Sequence, residues 1–176
     1  MVIDLPEPCL VVLVGAAGAG KSTLAARVFA PEQVLSSDAN RALLTGDEAD
    51  QAVTKTAFAI LHRQLSRRMA ARMTTVVDAT NVTSFARRSL VRRAAAHGVP
   101  AVAIVLDLEP GLVLARNATR QGRIVPEAAV RQQLADLARS VRRDDLASDG
   151  FAAIHRVRTA EELDALTVRR AARSGS

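Results

Sequence analysis

A chain of 176 residues with 49% hydrophobic residues is long enough for one domain with a buried core, which excludes a disordered protein. The formal net charge of +6 fits an anionic partner, although arginines on solvated helix faces explain it equally well. The single cysteine, Cys9, excludes an intrachain disulfide and favours a reducing, cytoplasmic setting, and no apolar run is long enough to cross a bilayer.

Apolar runs of strand length alternate with helix-patterned segments along the chain. Strands are predicted near residues 10–14, 33–36, 74–78, 101–106 and 152–157. Helices are predicted near 21–29, 39–44, 48–73, 84–96, 110–120 and 127–143, with a short helix after 159. This order predicts an α/β fold, a parallel five-stranded sheet with helices on both faces. The predicted domain covers 1–168, and the basic segment 169–176 is predicted to be a flexible tail or the start of a linker.

A glycine-rich loop follows the first predicted strand and precedes a helix. It reads Gly15, Ala16, Ala17, Gly18, Ala19, Gly20, Lys21, Ser22, Thr23 and fits the template G-x-x-x-x-G-K-[ST]. Small residues let backbone N–H groups surround an anion, and the helix N-terminus adds partial positive charge. The loop is therefore predicted to bind the phosphates of a nucleoside triphosphate, with Lys21 on the β- and γ-phosphates and Ser22 as a ligand of Mg²⁺.

Polar residues follow the second predicted strand, at the edge of the sheet where ligands bind. Asp38 is the candidate base for deprotonating an acceptor hydroxyl, and Arg41, nearly one helical turn later, is a candidate for binding an acceptor phosphate. A plain helix N-cap is an equally good interpretation of Asp38 from the pattern alone.

Two other strands end in aspartates at the same predicted edge, Asp78 and Asp107. Asp78 is favoured as a carboxylate near the metal or the acceptor because the polar residues Thr80 and Asn81 follow it. Asp107 matches a strand-terminal metal carboxylate equally well by pattern, but a turn residue is the preferred interpretation.

Three arginines in the predicted lid, about 110–140, form the last group of candidate residues. Arg116 and Arg120 share a helix face, and Arg123 follows a glycine, so the segment could close over phosphates and supply positive charge to the reaction. The alternative is a solvated basic face, of which Arg87, Arg88, Arg92 and Arg93 are taken as another example.

With these motifs the sequence resembles the bacterial polynucleotide 5′-kinases, in particular the N-terminal kinase domain of the three-part bacterial RNA end-healing and sealing enzymes. The resemblance covers nearly the whole chain. It rests on 10–15 with the phosphate loop, Ser36-Ser37-Asp38 with Arg41, Asp47-Glu48-Ala49-Asp50-Gln51, Val76-Val77-Asp78-Ala79-Thr80-Asn81-Val82 and Arg116-Asn117-Ala118-Thr119-Arg120-Gln121-Gly122-Arg123.

The resemblance implies an adenylate-kinase-like P-loop kinase fold with a helical lid, and transfer of phosphate from ATP with Mg²⁺ to the 5′-OH end of RNA or DNA. It implies that Asp38 is the general base, that Arg41 binds an acceptor phosphate and that Arg116, Arg120 and Arg123 cover ATP. Gln51 is grouped with the acceptor-binding residues on the same ground. Phosphatase and ligase parts are absent from the sequence, so the chain is either a free-standing kinase or one domain of a longer enzyme.

Two alternatives differ in the acceptor. The first is a kinase of the same fold that acts on a nucleoside, sugar or antibiotic hydroxyl, and the second is a nucleotide-dependent switch or assembly ATPase without an acceptor. The chain has no Trp or Tyr, and its phenylalanines lie in apolar patterns, so stacking of bases on aromatic side chains is not expected. Binding through the terminal phosphate would then give little base specificity and strong salt dependence.

Overall fold

A parallel sheet of five strands forms the core of the protein. The computed structural model describes residues 1–37, 54–120 and 124–172. The sheet has the order β3 (Val34–Ser36), β4 (Thr75–Asp78), β2 (Leu10–Val14), β5 (Ala101–Leu106) and β6 (Ala153–Val157). β2 is central and all five of its residues are fully buried, as expected for a strand that is covered on both faces. The five strands predicted from the apolar runs are thereby confirmed.

Helices cover both faces of this sheet. The longer ones are α1 (Lys21–Val28), α2 (Thr54–Ala70), α3 (Ser84–Ala95), α4 (Pro110–Ala118) and α5 (Glu127–Arg142), and the short ones are α6 (Asp145–Ser148) and α7 (Ala160–Asp164). Side chains alternate along a strand. Val11 and Leu13 therefore face a core formed with α1, α4 and α7, whereas Leu10, Val12 and Val14 face a core formed with α2 and α3. α5 contributes to both cores.

A second sheet consists of two strands from the two ends of the described chain. β1 (Val2–Glu7) pairs in parallel with β7 (Thr167–Ala172), and Ile3 and Leu5 of β1 are buried in the core that contains α1. Neither strand was predicted. The assignment of residues 169–176 to a flexible tail is wrong for its first four residues, which lie in β7, and the domain extends to at least Ala172. Residues 173–176 lie outside the described part.

The helix boundaries agree with the sequence pattern to within a few residues where they can be compared. α3 and α5 each end one residue before the predicted end, and α4 ends two residues before. The predicted helix at 39–44 and the start of the predicted helix at 48–73 fall outside the described residues. No helix within 1–37, 54–120 or 124–172 is long and apolar enough to span a bilayer.

Candidate active site

The loop between β2 and α1 has the backbone of an anion-binding site. Gly18 and Gly20 have φ values of 85° and 95°, which residues with a Cβ rarely adopt, and no side chain caps the N-terminus of α1. Among the described residues, none accepts a hydrogen bond from the backbone N–H of Gly18, Gly20 or Lys21. These donors and the helix N-terminus therefore remain available to a phosphate.

Lys21 is buried at the bottom of the loop, with 8% of its surface exposed. Its Nζ donates hydrogen bonds to the carbonyl oxygens of Gly15 and Ala16, at 2.9 and 2.8 Å. Burial lowers the pKa of Lys21 to about 8, the Asp78 carboxylate opposes this shift, and the Arg120 guanidinium adds to it. An anion that entered the loop would favour the charged form of Lys21.

Two oxygen atoms meet beside Lys21. The hydroxyl of Ser22 donates a hydrogen bond to Oδ2 of Asp78 at 2.7 Å, and Asp78 ends β4 in register with Leu13 and Ser36. No group of three or more His, Cys, Asp and Glu side chains in the described ranges could hold a metal ion. One carboxylate and one hydroxyl fit Mg²⁺, which keeps water ligands and binds substrate phosphates, better than a metal that needs a complete protein cage.

A cleft of about 560 Å³ extends from this pair across the carboxyl edge of the sheet. The edge residues Ser37, Asp78, Ala79 and Thr80 line it together with Phe58 of α2, and the segment from α4 to α5 contributes Arg116, Arg120, Val125, Ala129 and Gln133. α4 packs directly on the loop, since a Cβ added to Gly18 would lie 2.5 Å from the carbonyl oxygen of Val113. The cleft thus combines a phosphate loop, a carboxylate and arginines in one cavity.

Comparison with known families and structures agrees with this geometry. A family model for the AAA domain, AAA_33, matches residues 10–142. The chain belongs to this AAA domain family. Together with the sheet order and the loop, the match shows a P-loop kinase fold. No curated protein matches the sequence.

Solved structures share the fold at low sequence identity. A chain of the Pnkp1/Rnl/Hen1 RNA repair complex superposes with a TM-score of 0.68 at 21% identity, over 79% of this chain and 47% of that chain. This AAA domain therefore spans about half the length of that relative. A gluconokinase from Sinorhizobium meliloti 1021 has a TM-score of 0.55 at 19% identity over 91% and 87% of the two chains. Kti12 from Chaetomium thermophilum, in complex with ADP-AlF3, has a TM-score of 0.57 at 15% identity over 88% and 93%.

The cleft brings together some of the residues that the sequence singled out. Lys21, Ser22, Asp78 and Thr80 line it together with Arg116 and Arg120. Asp38, Arg41, Gln51 and Arg123 lie outside the described residues, and their predicted roles stay predictions. Asp107 does not line the cleft, and its carboxylate accepts a hydrogen bond from Arg156 at 2.6 Å.

Asn81 does not have the environment of a substrate-binding residue. Its side-chain amide donates to the carbonyl oxygens of Leu13, at 2.8 Å, and Ala79, at 3.3 Å, and only 4% of its surface is exposed. It has a positive φ of 48°, a conformation that asparagine tolerates better than most residues. Asn81 therefore joins the turn after β4 to β2 and does not face the cleft.

Arg87 was taken as part of a solvated basic face, and this interpretation is wrong. Its side chain is fully buried and forms an ion pair with Asp149 at 2.5 Å. It also donates to the carbonyl oxygens of Asn81 and Val82, at 3.2 and 2.7 Å. Five donors in a fixed fork can serve several acceptors at once, so Arg87 holds the turn after β4, next to the cleft wall.

Two amide side chains in α4 and α5 support the site, although the sequence analysis did not single them out. Oε1 of Gln133 accepts a hydrogen bond from the backbone N–H of Ala17 at 2.8 Å and thereby links α5 to the phosphate loop. Asn117 pairs with both the carbonyl oxygen and the N–H of Val125, at 2.8 and 3.2 Å. An asparagine inside a helix pattern was a usable signal for Asn117, because such a residue is unfavourable there without a specific partner. Gln133 had no such signal.

Proposed function

We propose that the protein is an ATP- and Mg²⁺-dependent polynucleotide 5′-kinase that transfers the γ-phosphate to the 5′-OH end of RNA or DNA during repair of nucleic-acid ends. The observation that carries the proposal is the composition of the cleft, which is lined by the phosphate loop, by arginines and by hydroxyl and carboxylate groups. Transfer of a phosphoryl group needs positioning and charge stabilisation, and this cavity provides both.

The donor side of the reaction follows from the loop and the lid. The free N–H groups and Lys21 would bind the phosphates of ATP, and Arg116 and Arg120 would balance the charge that spreads over the transferred group. Ser22 and Asp78 would hold Mg²⁺, Ser22 as a direct ligand and Asp78 directly or through water. When bound, the metal neutralises charge on the phosphate oxygens.

The acceptor side lies at the ends of β3 and β4. Ser37 and Thr80 line the cleft there, and Asp38 is the next residue in the chain after Ser37. Ser36 pairs with Asp78 in the sheet, and Asp38 follows Ser36 by two residues. This position in the sequence supports Asp38 as the group that removes the proton from the acceptor hydroxyl. Arg41 and Gln51 would then orient the terminal nucleotide, as the sequence resemblance implies.

A small-molecule kinase is the second candidate, and one observation favours it. The gluconokinase match covers 91% of this chain and 87% of that one, whereas the RNA repair match covers 47% of the longer chain. A cavity of 560 Å³ is also sufficient for a small acceptor such as a sugar acid.

The test is transfer of labelled phosphate from γ-labelled ATP to a short 5′-OH oligonucleotide, comparing wild type with Asp38→Ala and Asp107→Asn. Loss of a general base costs about 10²- to 10⁴-fold in rate, so Asp38→Ala is expected to lose that much. Asp107→Asn is the control, because Asp107 directly follows β5 but does not line the cleft. This variant is expected to keep near-wild-type activity. Equal activity of Asp38→Ala and wild type, or label only in inorganic phosphate, would contradict the proposal.

A further inference from the structure

The outward face of α3 carries an aromatic ring followed by two cations. Phe85, Arg88 and Arg92 are three and four residues apart, so they share one face of the helix, and we refer to them as the α3 strip. Phe85 is 82% exposed, and the side chain of Arg88 is 48% exposed. The opposite face is buried and includes Leu90 and Val91. The interpretation of Phe85 as part of an apolar pattern that packs into the core is therefore wrong.

The α3 strip begins at the same edge of the sheet as the cleft. Ala79 and Thr80 belong to the cleft wall, the side chain of Thr83 caps α3, and Phe85 lies in its first turn. At a rise of about 1.5 Å per residue, the strip runs roughly 10 Å along the helix from Phe85 to Arg92. A chain whose end occupies the acceptor side of the cleft would find this face directly beside its path.

The charge of the strip is positive after its ion pairs are counted. The carboxylate of Asp149 is shared between the buried Arg87 and the partly exposed Arg88, at 2.5 and 2.9 Å. One negative charge thus serves two cations. Arg92 is exposed and forms no ion pair with any residue in the described ranges. Excess positive charge beside an exposed ring suits a ligand that has both phosphates and flat bases.

We propose that the α3 strip binds the second and following nucleotides of a single-stranded acceptor, with one base stacked on Phe85 and phosphates near Arg88 and Arg92. This inference rests on the proposed function, which it deepens by assigning a place to the nucleic acid outside the cleft. It makes the acceptor a single strand of several nucleotides, because a lone nucleoside or a sugar acid cannot reach the strip. The enzyme should accordingly prefer longer acceptors to short ones.

The experiment measures KM and kcat of the full chain for 5′-OH acceptors of one nucleotide, as a nucleoside 3′-monophosphate, and of two, three and more nucleotides. For wild type, KM is expected to fall with length. Phe85→Ala is expected to raise KM for the longer acceptors by about tenfold, to leave KM for the nucleoside 3′-monophosphate unchanged, and to leave kcat unchanged. Phe85→Trp, which keeps a stacking surface, should restore the length dependence.

Met73→Ala is the matched control, since Met73 is an exposed apolar residue, 44% exposed, before β4 at the opposite edge of the sheet. For the charge, Arg92→Ala is compared with Arg67→Ala, because both arginines are exposed in the last turn of a helix. For long acceptors, the slope of log KM against log salt concentration should fall by about 0.7 in Arg92→Ala. The slope should not change in Arg67→Ala.

Two outcomes separate the inference from the function on which it rests. If wild type phosphorylates oligonucleotides but Phe85→Ala shows the same length dependence, the α3 strip does not bind the acceptor and the kinase proposal stands. If wild type phosphorylates only free sugars or nucleosides, the proposed function is wrong and the assignment of the strip fails with it.

Discussion

Substitution of Gly18 by alanine tests how tightly the phosphate loop is packed against α4. Gly18 has a φ of 85°, and an added Cβ would lie 2.5 Å from the carbonyl oxygen of Val113 and 3.0 Å from Cβ and N of Asn117. The left-handed conformation costs a residue with a Cβ about 1 to 3 kcal/mol. Contact with backbone atoms of α4 adds about 1 to 3 kcal/mol, because a helix backbone cannot rotate aside as a side chain can.

Gly98→Ala is the matched control for this substitution. Gly98 also has a positive φ, of 64°, but an added Cβ would meet nothing within 4 Å. A chain of this size loses about 2 to 4 °C of Tm per kcal/mol. Thermal unfolding should therefore show a Tm loss of about 12 °C for Gly18→Ala and about 6 °C for Gly98→Ala, with weaker ATP binding only for Gly18→Ala. Equal Tm losses would refute the close packing of α4 on the loop.

The remaining predictions concern Lys21 and two residues of α4, Asn117 and Arg116. Because the pKa of Lys21 is about 8 in the free protein and bound phosphate favours its charged form, ATP binding should take up a proton above pH 8 and weaken as pH rises further, measurable by calorimetry in two buffers. The effect of pH on the stability of the free protein is opposite. Between pH 8 and 10.5 the unfolded chain keeps the proton of Lys21 and the folded protein does not, so the free energy of unfolding should rise with pH in this range. Asn117→Ala leaves the N–H and carbonyl of Val125 without partners and should lower the free energy of unfolding by about 3 kcal/mol in urea titrations; a loss below about 1 kcal/mol would contradict that pairing. Arg116→Ala should lower kcat about 10³-fold or more in the phosphate-transfer assay, whereas Arg131→Ala, at an exposed pair on α5, should not change it; equal effects would remove Arg116 from the chemistry.

The inner strands β2 and β5 of the central sheet were predictable because they are buried on both faces, which gives uninterrupted apolar runs such as Leu10–Val14. The β1–β7 pair was not, because β1 is buried only at alternate positions and residues 167–171 of β7 are mostly exposed. β1 alternates Ile3 and Leu5 with Asp4, and β7 contains Arg169 and Arg170, so neither has the apolar pattern of a central strand. Only their contact with each other and with the core makes these segments strands.

The phosphate loop was predictable for a different reason. Its function needs particular residues at fixed spacing, so the pattern that contains Lys21 and Ser22 indicates the chemistry without the fold. The environments of Arg87, Asn81 and Gln133 depend on partners distant in sequence, namely Asp149, Leu13 and Ala17. A residue type alone cannot distinguish a buried arginine with such a partner from one on a solvated surface.

The central claim is that this cleft transfers phosphate to the end of a nucleic acid, and a competition assay tests it most directly. Limiting γ-labelled ATP is incubated with the protein, Mg²⁺ and equimolar 5′-OH RNA oligonucleotide, free nucleoside and gluconate in one mixture, and the labelled products are separated. We expect most of the label on the oligonucleotide, as a terminal phosphate that a phosphomonoesterase removes. An oligonucleotide that already has a 5′-phosphate should not be labelled. Label mainly on gluconate or the nucleoside, or only in inorganic phosphate, would contradict the claim.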